Sequence, residues 1–132
     1  NLESRVQNLE LGGRVSMVGT VPNREIPLYF RAADVFLMPS EEEGFPHVLL
    51  EAAAAGVPFV ASDVGGIREI TPPELRRYIV PCGNISAFAA QALVLLAKSH
   101  AERAQLIEAE QELAKHYDTA AVLPQFVKLF EY

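Results

Sequence analysis

The order of apolar and polar residues along the chain predicts strands that alternate with helices. Residues 35–38 are apolar at consecutive positions, which is typical of a parallel strand buried on both faces. Further strands are predicted at residues 14–18, 57–61 and 78–80. Helical spacing predicts the remaining elements: an N-terminal helix containing Leu2, Val6 and Leu9, helices at 24–33, 46–55, 67–70, 85–97 and about 100–116, and a last helix from Asp118–Thr119 onwards. This alternation predicts one α/β domain with a parallel sheet of about four strands, ending in several helices.

Residues 39–69 carry most of the residues that could perform chemistry. Glu41, Glu42 and Glu43 follow the strand at 35–38, and the next helix opens at Pro46 and carries Glu51. Proline suits a first helical turn, because the N–H group that it lacks would have had no partner there. Strand ends and helix starts are therefore expected to meet at one place, with Glu43 and Glu51 facing the same crevice.

The residue types around this crevice indicate a ligand with both phosphate and hydroxyl groups. Unpaired N–H groups at helix starts attract anions. Carboxylates accept hydrogen bonds from sugar or ribose hydroxyls and repel phosphate. Gly44, Gly65 and Gly66 would let a ligand approach the backbone closely. The pattern suggests a nucleotide-sugar site.

Composition restricts the other classes of function. The chain has 132 residues and a formal net charge of −6, which argues against nucleic acid as a partner. Cys82 is the single cysteine, so no internal disulfide can form and a reducing, cytoplasmic location is expected. No apolar run is long enough to span a membrane, so we expect no transmembrane segment. We also expect no metal site, since Asp34 and Asp63 stand alone in the sequence.

The segment PSEEEGFPHVLLEA, in which seven residues separate Glu43 from Glu51, resembles the signature of family 4 (group 1) glycosyltransferases. The following GVPFVASDVGGIREI resembles the next block of the same family. The resemblance implies a Rossmann-like α/β/α domain, the C-terminal nucleotide-sugar-binding part of a GT-B enzyme. It also implies retaining, metal-independent transfer of a sugar from a nucleoside diphosphate to an acceptor hydroxyl, with no cofactor.

The resemblance assigns roles to individual residues. It places Glu43 at the donor sugar and phosphate, as the catalytic residue, and Glu51 at the ribose. It assigns substrate contacts to the rest of the set: Gly44, Phe45, Pro46, His47, Gly65 and Gly66. Other readings stay open, because three adjacent glutamates can be a solvated loop and a histidine at a helix start is often a surface residue. Ser40 is expected to cap or turn the chain, and Glu69 could cap a helix or contact a ligand.

The chain differs from complete members of this family in two respects. The segment TPPELRRYIVPCGN replaces a glycine-rich loop, and Arg76 or Arg77 could supply a phosphate contact there, although a solvated pair is favoured. The first Rossmann-like domain and the basic residues that hold the diphosphate have no counterpart here. We therefore expect a partial domain, 1–132, with little turnover by itself. The alternative functions are a non-catalytic binding or assembly module, or a nucleotide-sugar epimerase or phosphorylase of similar architecture.

The same comparison predicts that the strand at 35–38 has an open edge. An unpaired strand with two apolar faces is a liability in water. Either residues 14–18 move beside it, or a second copy of the chain covers it, and we expect self-association.

Overall fold

The computed structural model of the chain describes residues 2–11 and 13–118. Two single-turn 3₁₀ helices, Asn23–Glu25 and Arg76–Tyr78, accompany nine regular elements in the described residues. In chain order these are α1 (Leu2–Asn8), α2 (Ile26–Ala32), β1 (Phe36–Met38), α3 (His47–Ala54), β2 (Phe59–Asp63), α4 (Ile67–Ile70), β3 (Ile79–Pro81), α5 (Ile85–Leu96) and α6 (His100–His116). The alternation of strands with helices confirms the predicted α/β class. The predicted helix from Asp118–Thr119 onwards lies outside the described residues, apart from Asp118 itself.

The helix boundaries follow from local chemistry. Pro46 immediately precedes α3, and Gly56, two residues after the helix, has a φ of 76° that an L-residue rarely adopts. The side chain of Asn84 accepts a hydrogen bond from the Ala87 N–H and caps α5. At α6, the side chain of Ser99 accepts from the backbone N–H of Glu102, and the Glu102 carboxylate accepts from the Ser99 N–H, which forms a capping box.

The three strands form a parallel sheet in the order β1-β2-β3. Phe36 pairs with Phe59, and Ser62 pairs with Val80. Side chains alternate between the two faces of a strand, so Phe36 and Leu37 point to opposite faces. Phe36 lies edge-on to Phe30 of α2 and packs with Ala52 of α3, which assigns α2 and α3 to the Phe36 face. The opposite face, with Leu37 and Ser62, is the side of α5.

One predicted strand is absent. Residues 14–18 have no strand structure, and Val15, Met17 and Val18 are each more than a third exposed. A strand requires a neighbour to satisfy its backbone groups, and these residues pair with no other segment in the described part of the chain. Within the described residues β1 therefore pairs only with β2, and its other edge is open, as the resemblance predicts. The alternative that residues 14–18 move beside β1 is wrong.

Helix α6 packs along α3. Its buried side chains Leu106 and Leu113 join the same apolar cluster as Leu49 of α3 and Tyr78. The guanidinium of Arg103 donates to the carbonyl oxygen of Asp34, before β1, at 2.6 Å and to that of Leu95 at 3.3 Å. Among the helices in residues 2–11 and 13–118, none combines the length and the apolar character needed to cross a membrane.

Candidate functional site

The carboxylate of Glu43 is held in place by its own loop. The Ser40 hydroxyl donates a 2.7 Å hydrogen bond to Glu43 Oε1, and the Glu43 residue is half-buried. Ser40 therefore orients the first glutamate of the signature. The neighbouring Glu41 and Glu42 are exposed, so the three adjacent glutamates do not form a uniformly solvated loop.

Gly65, two residues after β2, packs closely against the backbone of the same loop. Its φ is 54°, and a Cβ atom built on it would lie 2.3 Å from the carbonyl oxygen of Glu43 and 3.1 Å from the carbonyl carbon. The close approach that requires glycine at this position is thus an approach to the backbone of Glu43. The neighbouring Gly66 differs, since a Cβ there would meet no atom within 4 Å. Gly44 is equally open, and the predicted ligand contacts at the three glycines stay predictions.

The start of α3 already uses part of its hydrogen-bonding capacity. The His47 N–H donates to the Phe45 carbonyl at 2.9 Å, and the Leu49 N–H donates to the Pro46 carbonyl at 3.1 Å. The Phe45 ring is 45% exposed and meets the His47 imidazole edge-to-face, with ring centroids 4.9 Å apart. Pro46 is fully buried. An anion at this helix start would therefore find fewer free N–H groups than the sequence suggests.

A cavity of about 690 Å³ lies between α2 and α3. His47 and Glu51 line it from α3, one helical turn apart on the same face. Asn23 is the other polar lining residue, and the rest of the wall is apolar and includes Ile26, Phe30 and Val48. Of the two signature glutamates, Glu51 lines this cavity and Glu43 does not. The structure thus places the two carboxylates at different points, Glu51 in the cavity wall and Glu43 in the loop before α3.

Arg68 is a residue near the strand ends to which sequence analysis assigned no role. Its Nε donates to Asp63 Oδ2 at 2.5 Å, and its Nη2 donates to the Ile79 carbonyl at 3.2 Å. It therefore ties the end of β2 to β3, and Asp63, which stands alone in the sequence, has a cationic partner. No sequence signal distinguishes Arg68 from a surface arginine, since the contact depends on the pairing of β2 with β3.

The two other basic residues near this region have structural contacts. Arg76 Nε donates to the Thr71 carbonyl at 2.9 Å, and Arg77 Nε donates to the Glu74 carbonyl at 3.3 Å. The Arg77 guanidinium also lies 5.4 Å from the centroid of the Tyr78 ring. Both arginines are exposed, as expected for a solvated pair. Glu69 is exposed in α4, a helix of only four residues.

Sequence analysis also did not predict a buried carboxyl group on α6. Glu110 has no exposed surface, its Oε1 accepts a 3.3 Å hydrogen bond from the Phe59 N–H, and its Oε2 has no partner among the described residues. Burial raises the pKa of the Glu110 carboxyl from 4.5 to about 8, although the Phe59 N–H and Arg103 act in the opposite direction. Sequence spacing could have found it, because Glu110 shares a helix face with Leu106 and Leu113.

Known proteins are similar to this chain over most of its length. A family model described as "Glycosyl transferases group 1" matches residues 1–113. A phosphatidyl-myo-inositol mannosyltransferase of Mycobacterium leprae is 34% identical over 118 residues, 89% of this chain and 31% of the relative. An N-acetyl-alpha-D-glucosaminyl L-malate synthase of Bacillus anthracis is 30% identical over 95% of this chain and 32% of the relative.

Structural similarity agrees with the sequence. A sucrose-phosphate synthase from Thermosynechococcus elongatus matches with a TM-score of 0.84 and 31% identity over 98% of this chain and 32% of that protein. This match supports the GT-B type of fold. The chain spans about a third of the length of the relatives that it matches. The family model, the relatives and the fold agree, and the chain belongs to the group 1 glycosyltransferases.

Proposed function

We propose that the chain binds the nucleoside-diphosphate sugar of a retaining, metal-independent glycosyltransferase, as the donor side of the complete enzyme. The observation that carries the proposal is the α2–α3 cavity. It is mostly apolar, and its one carboxylate, Glu51, stands beside His47. Ligand sites typically combine apolar walls with a few placed polar groups. A carboxylate in such a wall suits the two hydroxyls of a ribose, which donate hydrogen bonds to it.

Glu43 would act at the other end of the donor. The Ser40 hydroxyl occupies Oε1, and Oε2 accepts no hydrogen bond within the part of the chain that the structure describes. In the proposed complex Oε2 accepts a hydrogen bond from a hydroxyl of the donor sugar. Glu43 thereby fixes the orientation of the sugar relative to the departing diphosphate, and correct orientation lowers the barrier to transfer.

The nucleotide part of the proposal is tested by calorimetry with UDP, GDP and ADP. We expect one of them to bind, and we expect Glu51→Ala to weaken that binding by roughly 5- to 150-fold. This corresponds to about 1–3 kcal/mol, the usual cost when a hydrogen-bonded group loses its charged partner. Glu108→Ala, at an exposed carboxylate on α6, is the matched control and should bind like the unmodified protein. Equal affinities for the Glu51→Ala and Glu108→Ala proteins would contradict the ribose assignment.

We further propose that the 132-residue chain self-associates through the open edge of β1. Leu37, in the middle of this strand, is 47% exposed, and its edge N–H and C=O groups are available to a second strand. Light scattering should give a mass that rises with concentration, and Leu37→Lys should shift the protein towards monomer, because a charged residue on an edge strand disfavours pairing. A monomer at every concentration would contradict this proposal.

A further inference from the structure

The turn between β2 and α4 is held closed by the side chain of Arg68. Residues 64–66 form this turn, Asp63 ends β2 before it, and Arg68 is the second residue of α4 after it. The Arg68 Nε donates to Asp63 Oδ2 at 2.5 Å, which joins the two ends of the turn. The Nη2 of the same guanidinium donates to the Ile79 carbonyl oxygen of β3 at 3.2 Å. One planar guanidinium thus fixes the turn to two neighbouring strands.

The backbone of the turn restrains it only weakly. A hydrogen bond crosses the turn from the Ile67 N–H to the Val64 carbonyl oxygen, and at 3.3 Å it is longer than usual. The Gly66 carbonyl oxygen accepts from two N–H groups of α4 at 3.1 Å, which anchors the turn at its helix end only. The N–H groups of Gly65 and Gly66 donate to no atom in residues 2–11 or 13–118. The position of the turn therefore depends on the contacts of Arg68.

Gly65 transmits the position of the turn to Glu43. A Cβ atom on Gly65 would lie 2.3 Å from the Glu43 carbonyl oxygen and 3.4 Å from that of Gly44, so the two backbones are already closely packed. Closely packed groups cannot shift independently of each other. A displacement of the turn therefore displaces the loop that carries the Glu43 carboxylate. Glu51 stands apart, since it lines the α2–α3 cavity and none of residues 63–68 does.

We infer that Arg68 is a positioning residue for Glu43 and that it acts through Gly65. The inference rests on the proposed function, in which Glu43 orients the donor sugar. Loss of the Arg68 contacts lets the turn relax away from the Glu43 loop, which impairs recognition of the sugar while Glu51 still holds the nucleotide. The side chains of Arg68 and Asp63 are 44% and 33% exposed, and ion pairs this exposed contribute little to folding stability. Variants of the pair are therefore expected to fold.

The first test is NMR of the 132-residue protein and needs no ligand. Arg68→Ala should shift the amide signals of Glu43 and Gly44, although Arg68 contacts neither residue directly. Asp63→Asn removes the charge that Arg68 binds and should shift the same two signals in the same direction. The double variant should shift them no further than Arg68→Ala alone, because both changes break one interaction. Arg68→Lys keeps the charge beside Asp63 but not the planar fork, and should give an intermediate shift.

A matched control separates this effect from the loss of any surface charge. Lys115→Ala removes an exposed ion pair with Glu112 on α6 and should leave the Glu43 and Gly44 signals in place. Unchanged signals in the Arg68→Ala protein, or equal shifts in the Arg68→Ala and Lys115→Ala proteins, would overturn the inference.

The second test locates the effect of Arg68 at the sugar. UDP-glucose, GDP-mannose and ADP-glucose are titrated by calorimetry, each beside its own nucleoside diphosphate. Arg68→Ala should weaken binding of the nucleotide sugar by about two- to thirtyfold and leave the affinity for the nucleoside diphosphate unchanged. Arg68→Lys should recover part of the loss. Equal weakening of both ligands would show that Arg68 does not act through Glu43 and would overturn the inference. If no probe binds the unmodified protein, the proposed function is wrong, and the NMR comparison still decides whether Arg68 positions Glu43.

Discussion

Replacing Gly65 with alanine is expected to lower the free energy of unfolding by about 2–4 kcal/mol. Two costs combine at this position. The backbone φ of 54° is unfavourable for an L-residue, and the new Cβ would lie 2.3 Å from the Glu43 carbonyl oxygen, so backbone atoms must move. The loop that carries Glu43 would move with them, and the proposed contact of Glu43 with the donor sugar would be lost.

Alanine variants at two other glycines allow the two contributions to be measured separately. Gly83 has a φ of 76°, and a Cβ atom added there would meet no atom within 4 Å, so Gly83→Ala measures the backbone cost alone. Gly66 is equally open and has a φ of −88°, so Gly66→Ala should change stability by less than about 1 kcal/mol. Urea denaturation of the three variants gives the comparison. A Gly65→Ala protein no less stable than the Gly83→Ala protein would show that the Glu43 contact is absent.

Glu110→Gln is expected to stabilise the protein increasingly as pH rises. Below about pH 4.5 the carboxyl is protonated in both the folded and the unfolded chain, so its full contribution to stability is present. Between pH 4.5 and about 8 folding requires proton uptake, and the free energy of unfolding falls by up to about 1.4 kcal/mol per pH unit. Above about pH 8 the loss is complete. Glutamine imitates the protonated carboxyl and keeps an oxygen for the Phe59 N–H, so it removes this pH dependence.

The measurement is denaturation at a series of pH values from about 4 to about 9, a range that spans both pKa values. Stabilities of the unmodified and Glu110→Gln proteins should be similar near pH 4 and differ by on the order of several kcal/mol near pH 8. Glu108→Gln changes an exposed carboxylate of the same helix and should follow the unmodified protein. Parallel curves for the unmodified and Glu110→Gln proteins would refute the assignment of a buried, protonated Glu110.

Sequence analysis predicted the elements that apolar runs and caps define locally. The strand at 35–38 needs only its own composition to be recognised, and Pro46, Gly56 and Asn84 mark helix ends without reference to the rest of the chain. Residues 14–18 show the limit of this reasoning. Their apolar composition is compatible with a strand, but a strand also needs a neighbour, and composition carries no information about the neighbour.

The candidate site could likewise be predicted only where its signal is local in the sequence. The spacing of Glu43 and Glu51 pointed to the family, and Glu51, which was expected to face a crevice, lines the α2–α3 cavity. The role of Gly65 could not be predicted, because its tight contact depends on how the β2 end meets the Glu43 loop in space. Ser62 follows the strand predicted at residues 57–61, and its buried place inside β2, on the face towards α5, became visible only in the structure.

The packing of α6 along α3 has a consequence for synthesis on the ribosome. Leu49 and Ala53 of α3 share their apolar cluster with Leu106 and Leu113, so the surface that covers α3 is translated only after β2, β3 and α5. At typical rates of about 5–20 residues per second, this leaves α3 without its cover for several seconds. In that interval the nascent chain exposes an apolar helix face, and this is when it is most prone to aggregate or to need a chaperone.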